Sequence, residues 1–586
     1  MLDDGSAPDN ARGTPPAPRA ASRFVGTVFG SLMSRGLGFL LGLPPIRTPR
    51  VCSVRDLEIP AGDGVVLLAD RYYPADYENA PVLLIRTPYG RRSANILIAR
   101  LFAERGYQVL MQALRGTDGS GGQFDGFVMN RDDGPATIAW LREQNWFPGA
   151  FATWGASYLG YAQWDLAGTA IVEWKAAIIY VAPADFYHHF MYPGGAFALG
   201  NALAWVQLVH SLFRNGRTTR PATMLGSIAS RVTAGRRFAR ACAHLPIADA
   251  DAIATGRRIP YYQEWINHET YDSYWAKMDY RANIAHLPPT VHLGAGWMDF
   301  FLPDVLESYA RLKDSGRTVW LLIGSGAHGR NMTTRTYQRD TFALLDSAFH
   351  DSGASGCRRL APVRMRITGR AHWRDASSWP PAHRLTAWYP QPGGALVTHP
   401  APTCEPSRYR YDPSDPTPTT GGTAVALRAG ARDNRAIERR DDVLTFTGSA
   451  LTTDLTVTGP VQATVYIRSS AIDIDVFVRL CDVHPRGKSV NICDGITRLH
   501  VRNFPPDNDG VRRTRVELWP AAHVFHAGHR IRIQISSGAH PRFNRNLGTG
   551  QPLASATKLV IAHQEIFHDA QHHTAIELPV ADLTDN

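Results

Sequence analysis

A serine set among small residues, Gly155-Ala156-Ser157-Tyr158-Leu159-Gly160, follows the apolar run Phe151–Trp154 and opens a helix-forming stretch, Tyr158–Ala167. Small neighbours let the chain reverse sharply between a strand and a helix. That turn exposes the hydroxyl at the helix N-terminus, where the dipole favours developing negative charge. Such a hydroxyl can attack a carbonyl carbon. Taken alone, the hexapeptide also fits a helix N-cap serine, since short motifs recur by chance. A serine is a weak nucleophile at its own pKa and needs a base, and the base needs an orienting carboxylate. Two later segments supply both. Thr290–Gly294 runs into Gly296-Trp297-Met298-Asp299, and Val319–Ile323 runs into Gly324-Ser325-Gly326-Ala327-His328-Gly329. Individually, Asp299 could cap a helix and His328 could be a surface-loop histidine. Together, in the order nucleophile, acid, base, with each residue just after a strand, they point to acyl transfer. The amide of Tyr158, directly after the serine, is one candidate donor to an oxyanion. The loop after Pro81–Arg86 reads Thr87-Pro88-Tyr89-Gly90, and proline has no N–H, so the Tyr89 hydroxyl is the second candidate; otherwise it is a core aromatic.

The elements that must position these residues alternate. Ser53–Ile59 and Val65–Tyr73 read as strands joined by Ala61-Gly62-Asp63-Gly64. Strands at Pro81–Arg86, Tyr107–Leu114, Phe151–Trp154 and Lys175–Val181 alternate with helices at Ile96–Glu104, Asp132–Gln144 and Tyr158–Ala167, which predicts an α/β fold with a mostly parallel sheet covered on both faces. The alternation lapses from about Asp185 to His286, an aromatic- and Arg-rich stretch with helical character at Phe197–Phe213 and Ala222–Cys242. An insertion there predicts a helical cap over the carboxyl edge of the sheet, where open α/β sheets bind ligands. Trp205 in this cap is a candidate pocket residue, as are Trp297 and Phe300 beside the acid; a core position fits Trp205 equally. After about Gly356, Pro-rich links separate period-two runs at Leu444–Phe446, Leu455–Val457, Ala463–Ile467, Val476–Leu480, Arg515–Leu518, Ile531–Ile535 and Lys558–His563, the pattern of an antiparallel β-sandwich. The expected organisation is an extension over 1–50, the α/β unit over 51–185 and 290–355, a cap over 186–289 and a sandwich over 356–586.

Composition narrows the function classes. The chain has 586 residues, 44% of them apolar and 19% charged, which suits a globular enzyme of more than one domain. The net charge of +10 is spread as scattered arginines, with no basic motif interleaved with aromatics, so nucleic acid is not the expected partner. An anionic substrate or surface stays open. No two of the six cysteines form a C-x-x-C pair, and Cys481 and Cys493, which flank a turn around Pro485–Lys488, read as ordinary buried thiols although a disulfide is permitted. His188-His189 and His563, His568, His572 and His573 lack a metal-ligand spacing, Asp473 and Asp475 read as solvated or arginine-paired, and Asp132-Asp133 complements a helix dipole, so neither metal nor cofactor is expected. Residues 1–23 are Pro/Ala/Arg-rich and read as disordered. Phe24–Leu43 is apolar but holds Arg35 and five glycines. A spanning helix would bear that charge at a cost of about 2.5–3.5 kcal/mol. With no A-x-A-like cleavage site following, the segment reads as packed on the body or touching a membrane surface, and a cytoplasmic location is favoured. Oligomeric state is left open, a homodimer included.

Arg86-Thr87-Pro88-Tyr89, Arg115-Gly116 with Ser120-Gly121-Gly122-Gln123-Phe124, Gly155–Gly160, Gly296–Asp299 and Gly324–His328 resemble the cocaine-esterase-like (CocE/NonD) hydrolases, relatives of the X-Pro dipeptidyl-peptidases and α-amino-acid ester hydrolases. The likeness continues through Leu455–Pro460, Asp482-Val483-His484-Pro485, Gly528–Ile531 and Pro541-Arg542-Phe543, and so covers most of the chain from Cys52 onward. It implies an α/β-hydrolase domain with a helical cap inserted before the acid and a C-terminal jelly-roll-like sandwich. It further implies hydrolysis of small acyl esters or amides through a serine acyl-enzyme. By position it assigns nucleophile, acid and base to Ser157, Asp299 and His328, and oxyanion donors to Tyr89 and Tyr158. Gly-Ser-Gly-Ala before His328, and Phe300-Phe301 after Asp299, depart from the family pattern and put a particular substrate in doubt. An amidase or X-Pro-type peptidase, an acyltransferase to a non-water acceptor, and a binding protein without catalysis are the rival readings. The peptidase should carry acidic residues for a free α-amino group, and no such cluster is evident in the sequence.

Overall fold

The computed structural model describes residues 23–24, 28–77, 79–92, 94–215, 224–330, 334–349, 361–424, 429–500 and 502–581. The Pro/Ala/Arg-rich segment 1–22 lies outside them. After strand β1 (Arg23–Phe24), helix α1 (Val28–Leu41) takes up most of the apolar stretch Phe24–Leu43. It is docked by a hydrogen bond from Ser34 Oγ to Glu104 and one from Arg335 Nε to the Leu40 carbonyl at 2.8 Å. Among the described residues no helix is long and apolar enough to cross a membrane.

The first sheet then forms. β2 (Val51–Pro60) and β3 (Val66–Pro74) make the expected hairpin, followed by β4 (Val82–Thr87), helix α2 (Ala94–Ala103), β5 (Gln108–Ala113), α3 (Asp133–Arg142), β6 (Phe151–Ala156), α4 (Tyr158–Leu166) and β7 (Trp174–Tyr180). β4, β5 and β6 are buried along their whole length, as strands covered on both faces must be. Their side chains alternate between two cores: Val82 and Leu84 enter one, Leu83 and Ile85 the other. Past the cap come β8 (Thr290–Met298), α9 (Leu302–Asp314), β9 (Thr318–Ala327) and α10 (Arg335–Phe349). Both strands run beyond their apolar runs, so Gly296-Trp297-Met298 and Gly324-Ser325-Gly326-Ala327, expected to follow the strands, are strand ends. β10 (Val363–Ile367) pairs parallel with β9, and β11 (His372–Ala376) closes the edge antiparallel to β10. The order is β1-β2-β3-β5-β4-β6-β7-β8-β9-β10-β11, parallel from β5 to β10. Strand pairing thus carries this sheet past residue 356, to Ala376.

Between β7 and β8 the chain forms the helical layer: α5 (Leu199–Asn215), α6 (Met224–Ala243), α7 (Ala250–Thr255) and α8 (Pro260–Asn267). Phe127 and Tyr158 of the α/β unit meet Trp205 and Trp265 of this layer in one aromatic cluster, the Phe127 and Trp205 rings lying 4.2 Å apart. The rest is β: β12 (His383–Pro390), β13 (Leu396–Val397), β14 (Ser407–Tyr411), β15 (Leu444–Thr447), β16 (Leu455–Ser469), β17 (Asp473–Val483), β18 (Ser489–His500), β19 (Arg512–Phe525), β20 (Arg530–Ser536), β21 (Ala562–Phe567) and β22 (Ala575–Ala581). They pair antiparallel in a seven-stranded and a four-stranded sheet. The runs Leu455–Val457 and Ala463–Ile467 belong to one strand, β16, irregular between Gly459 and Val461. Lys558–His563 overlaps β21 only at its end. β18 escaped period-two reading because it buries Asn491 and Asp494; the latter is neutralised by Arg479 at 2.9 Å and by Arg542. Cys481 and Cys493 are free buried thiols, offset by the register irregularity that pairs Leu480 with Cys493 and Cys481 with Asn491.

His292, in the middle of β8, is 1% exposed, and its Nδ1 lies 2.9 Å from the Tyr180 hydroxyl. Burial holds its pKa down to about 3. The unfolded chain therefore binds one proton more than the folded chain between the ordinary histidine pKa near ~6.5 and that value, and stability falls as pH drops through this window. His292→Asn should keep an acceptor for Tyr180 and remove that proton from the slope of unfolding free energy against pH between 6 and 4. Denaturant titrations of both proteins across that window check it; parallel slopes would refute the assignment.

Candidate active site

The turn after β6 is strained. Ser157 sits at φ 55°, ψ −126°, outside the regions ordinary residues occupy, and α4 starts at the next residue. The Ser157 N–H donates to the Tyr180 carbonyl at the end of β7 (2.9 Å), and its own carbonyl accepts from Tyr161 (2.8 Å), so the turn is pinned on both sides. The two outer glycines of the hexapeptide have separate reasons. A Cβ on Gly155 would lie 2.2 Å from the Leu159 carbonyl, where α4 passes over the strand end. A Cβ on Gly160 would lie 2.7 Å from Cβ of Ala182, so this glycine lets the helix approach the chain leaving β7.

Acid and base are delivered by adjacent strands. β8 and β9 pair Gly296 with Gly324 and Met298 with Ala327, so the residues that follow, Asp299 and His328, leave the sheet side by side. His328 Nδ1 lies 3.0 Å from Asp299 Oδ2, and His328 Nε2 lies 3.0 Å from Ser157 Oγ. Asp299 is fully buried. Its Oδ1 accepts from the Phe301 amide at 2.9 Å, and its carbonyl accepts from the Trp519 indole at 3.2 Å. Phe300 stacks on the imidazole with ring centres 4.3 Å apart and Phe301 meets its edge at 5.5 Å, with Phe190 of the helical layer behind both. A serine, an imidazole and a buried carboxylate in one hydrogen-bonded line can carry out nucleophilic acyl transfer.

Tyr89 follows β4, the neighbour of β6. Its ring meets the edge of the Tyr158 ring at 6.3 Å, and burial pushes its pKa up to about 12. It is therefore a neutral O–H donor at physiological pH. Its amide donates to Thr87 Oγ1 at 3.0 Å, which fixes the turn past Pro88. Tyr158 opens α4, where the first N–H groups have no acceptor within the helix. Its hydroxyl faces away, donating to the Gly126 carbonyl at 2.6 Å. Trp205 stacks over Tyr158 with ring centres 6.3 Å apart. Phe300 touches the base. Trp297 is 3% exposed, donates to the Arg366 carbonyl at 2.6 Å and packs on Trp379.

Trp519 was not evident in the sequence. It lies on β19 of the sandwich, far along the chain from the acid it contacts, and its position in a period-two strand gives no sign that its indole reaches back to Asp299. The other acid and histidine pairs are occupied elsewhere. His188 bonds Asp185 and His189 bonds Glu307, Asp475 pairs with Arg498 at 2.7 Å, Asp133 pairs with Arg115, and His568 bonds Ser407 at 3.0 Å.

The X-Pro dipeptidyl-peptidase (S15 family) profile matches residues 63–330, and that of the X-Pro dipeptidyl-peptidase C-terminal non-catalytic domain matches residues 355–577. A cocaine esterase of Rhodococcus sp. is 30% identical over 89% of this chain and 97% of that relative. The chain belongs to the cocaine-esterase-like S15 hydrolases. Membership of this family makes it a serine hydrolase, of a group that includes both esterases and peptidases. Two solved structures share the fold across the α/β unit, cap and sandwich. An α-amino acid ester hydrolase superposes with TM-score 0.75 at 21% identity over 92% of this chain and 98% of the other. An aminopeptidase from a marine-sediment Thaumarchaeota archaeon gives 0.74 at 22% identity, over 90% and 96%.

The tight approach at Gly160 yields a test. Gly160→Ala must push α4 off the chain segment that leaves β7 at Ala182 and carry Ser157 with it. The expected result is a loss of about 1–3 kcal/mol of stability, as for overpacking elsewhere, with a larger fall in kcat than in substrate affinity. Denaturant midpoints and steady-state kinetics on an aryl ester read both; unchanged kcat would mean that the glycine does not set the position of Ser157.

Proposed function

We propose that this hydrolase cleaves small acyl esters through Ser157, His328 and Asp299, and the single observation that carries the reading is the 3.0 Å–3.0 Å relay joining them. His328 takes the proton from Ser157 as its oxygen attacks the ester carbonyl, while Asp299 holds the imidazole in the required tautomer. The oxyanion receives the Tyr89 hydroxyl and the Tyr158 amide. His328 then protonates the departing alcohol, and in the second half it deprotonates the water that cleaves the acyl-enzyme. The aromatic surroundings of Tyr158, with Phe124, Phe127, Trp205 and Tyr261 packed on one another, support an acyl group with an apolar or aromatic body. We take residues 51–185 and 290–355, completed by β10 and β11, as the hydrolase domain, with the cap over 186–289 and the sandwich beyond.

Ser157→Ala should abolish labelling by a fluorophosphonate and lower ester turnover by at least about 10⁴. Tyr89→Phe should cost about 10²–10³ in kcat with a folded protein. Because burial raises the Tyr89 pKa to about 12, its hydroxyl stays protonated and the wild-type rate should not decline through Tyr89 between pH 8 and 10. Labelling that persists in Ser157→Ala would reject the assignment. Rates on matched esters and X-Pro amides decide between ester and peptide bonds.

The outer face of α1 supports peripheral contact with an anionic bilayer on the cytoplasmic side. Leu32, Met33, Phe39 and Leu40 are exposed there, with Arg35 exposed on the same helix. Apolar burial together with attraction to anionic headgroups is how such helices bind. The buried free thiols Cys481 and Cys493 fit a reducing compartment. The full chain should co-sediment with phosphatidylserine vesicles and not with neutral ones, and Phe39→Asp with Leu40→Asp should release it. Equal recovery with neither vesicle, or a dimer that the same changes dissociate, would overturn this placement.

A further inference from the structure

Far from the relay, the ends of β17 and β20 bring a second set of reactive side chains together. These strands pair Asp482 with Ile531 and Val483 with Arg530. The next residue outward on each, His484 and His529, therefore stand opposite one another, and side-chain alternation puts Asp482, His484 and His529 on one face of the ladder. Turn hydrogen bonds fix both ends: the His484 amide donates to the Lys488 carbonyl at 2.8 Å and the His529 amide to the His526 carbonyl at 2.9 Å. The two imidazole centres are 4.4 Å apart. One ligand atom from each of Asp482, His484 and His529 can be chosen so that all lie within 4.8 Å of one another.

We propose that Asp482, His484 and His529 bind a divalent transition cation that favours imidazole, such as Zn²⁺. Zinc takes nitrogen and carboxylate oxygen at about 2.0–2.2 Å, which in a tetrahedral site separates ligand atoms by roughly 3.4 Å. His484 Nε2 stands 4.0 Å from Asp482 Oδ2, too far for a hydrogen bond but within a small rotation of that spacing. His484 is exposed over 41% of its side chain, which lets a cation enter and the ring adjust, whereas Asp482 is 4% exposed and held. It is held by His523, whose Nε2 lies 3.2 Å from Asp482 Oδ2 and whose Nδ1 lies 2.8 Å from Thr368 Oγ1. A ligand carboxylate oriented by a second, hydrogen-bonded group is what tunes a metal site. Two imidazoles and one carboxylate suit zinc, nickel or copper rather than calcium or magnesium, which take all-oxygen shells. Three protein ligands leave a fourth position for water. The cation would staple β17 to β20 at the sheet end, next to β19, the strand that carries both His523 and Trp519.

The test is a Zn²⁺ titration of the full chain, purified without a histidine tag, by calorimetry and thermal unfolding, with Co²⁺ absorption as the spectroscopic readout. One equivalent of Zn²⁺ should bind, raise Tm with concentration as any ligand of the native state does, and give Co²⁺ the intense visible bands of four-coordination. His484→Ala should weaken binding by at least about 10-fold while leaving ester turnover intact. His529→Ala also removes the contact with Asp482 and could unfold that corner, so His484→Ala, at an accessible position, carries the decision. Absence of stoichiometric uptake by the wild type, or uptake undiminished in His484→Ala, would overturn the site.

Discussion

Asp299 has no contact with solvent. A carboxylate in that position keeps its charge only if protein groups replace the water it has lost, because an uncompensated buried charge is among the costliest features a fold can hold. Each replacement comes from a different part of the chain. The amide of Phe301, at the start of α9, serves one oxygen; the imidazole of His328, at the end of β9, serves the other. The Trp519 indole, from the sandwich, fixes the carbonyl of the same residue. The sandwich is thus tied to the chemistry by one hydrogen bond even though it contributes no member of the relay. A change in how the sandwich seats against the sheet would be felt first at the backbone of the acid.

The serine end of the relay is held by steric means. At φ 55° Ser157 is strained, and the surrounding packing must over-determine it. Gly155 and Gly160 remove the two Cβ atoms that would force α4 outward, and the amide of Ser157 is tied to β7. The six-residue spacing follows from this. The second glycine is needed where the helix meets the chain after β7, one turn into α4, and not beside the turn itself. Acid and base are positioned by ladder register, the nucleophile by close approach of a helix. The two devices meet at His328, with Phe300 stacked on its ring to restrict rotation.

What could be read from residues alone follows the same division. Period-two and continuous apolar runs announced the strands of the first sheet, because they are buried on both faces and carry little that is polar. The ends of β8 and β9 lie beyond those apolar runs, where Gly296 pairs with Gly324 and Met298 with Ala327. β18 was hidden by Asp494, a buried acid made acceptable by Arg479 and Arg542 from elsewhere in the sandwich. Trp297 was named beside Asp299, and its indole bonds the Arg366 carbonyl. Trp519 acts through a contact between elements distant in sequence, for which no local pattern exists.

Ester and amide hydrolysis share every step up to the tetrahedral intermediate, so the relay by itself does not separate them. The difference lies in the leaving group, since an amine must be protonated to depart and an alkoxide needs less help. It lies also in what binds the rest of the substrate. A peptidase working from a free N-terminus needs anionic groups to meet an ammonium ion. The rings packed around Tyr158 offer π-faces, which attract a cation by about 0.5–2 kcal/mol, less than a hydrogen-bonded carboxylate pair in a dry site. They offer much more to an apolar acyl group, which gains roughly 25 cal/mol for each Å² removed from water. On the proposed reading, the balance of these terms favours a substrate bound through its hydrocarbon, with polar recognition concentrated at the carbonyl that Ser157 would attack.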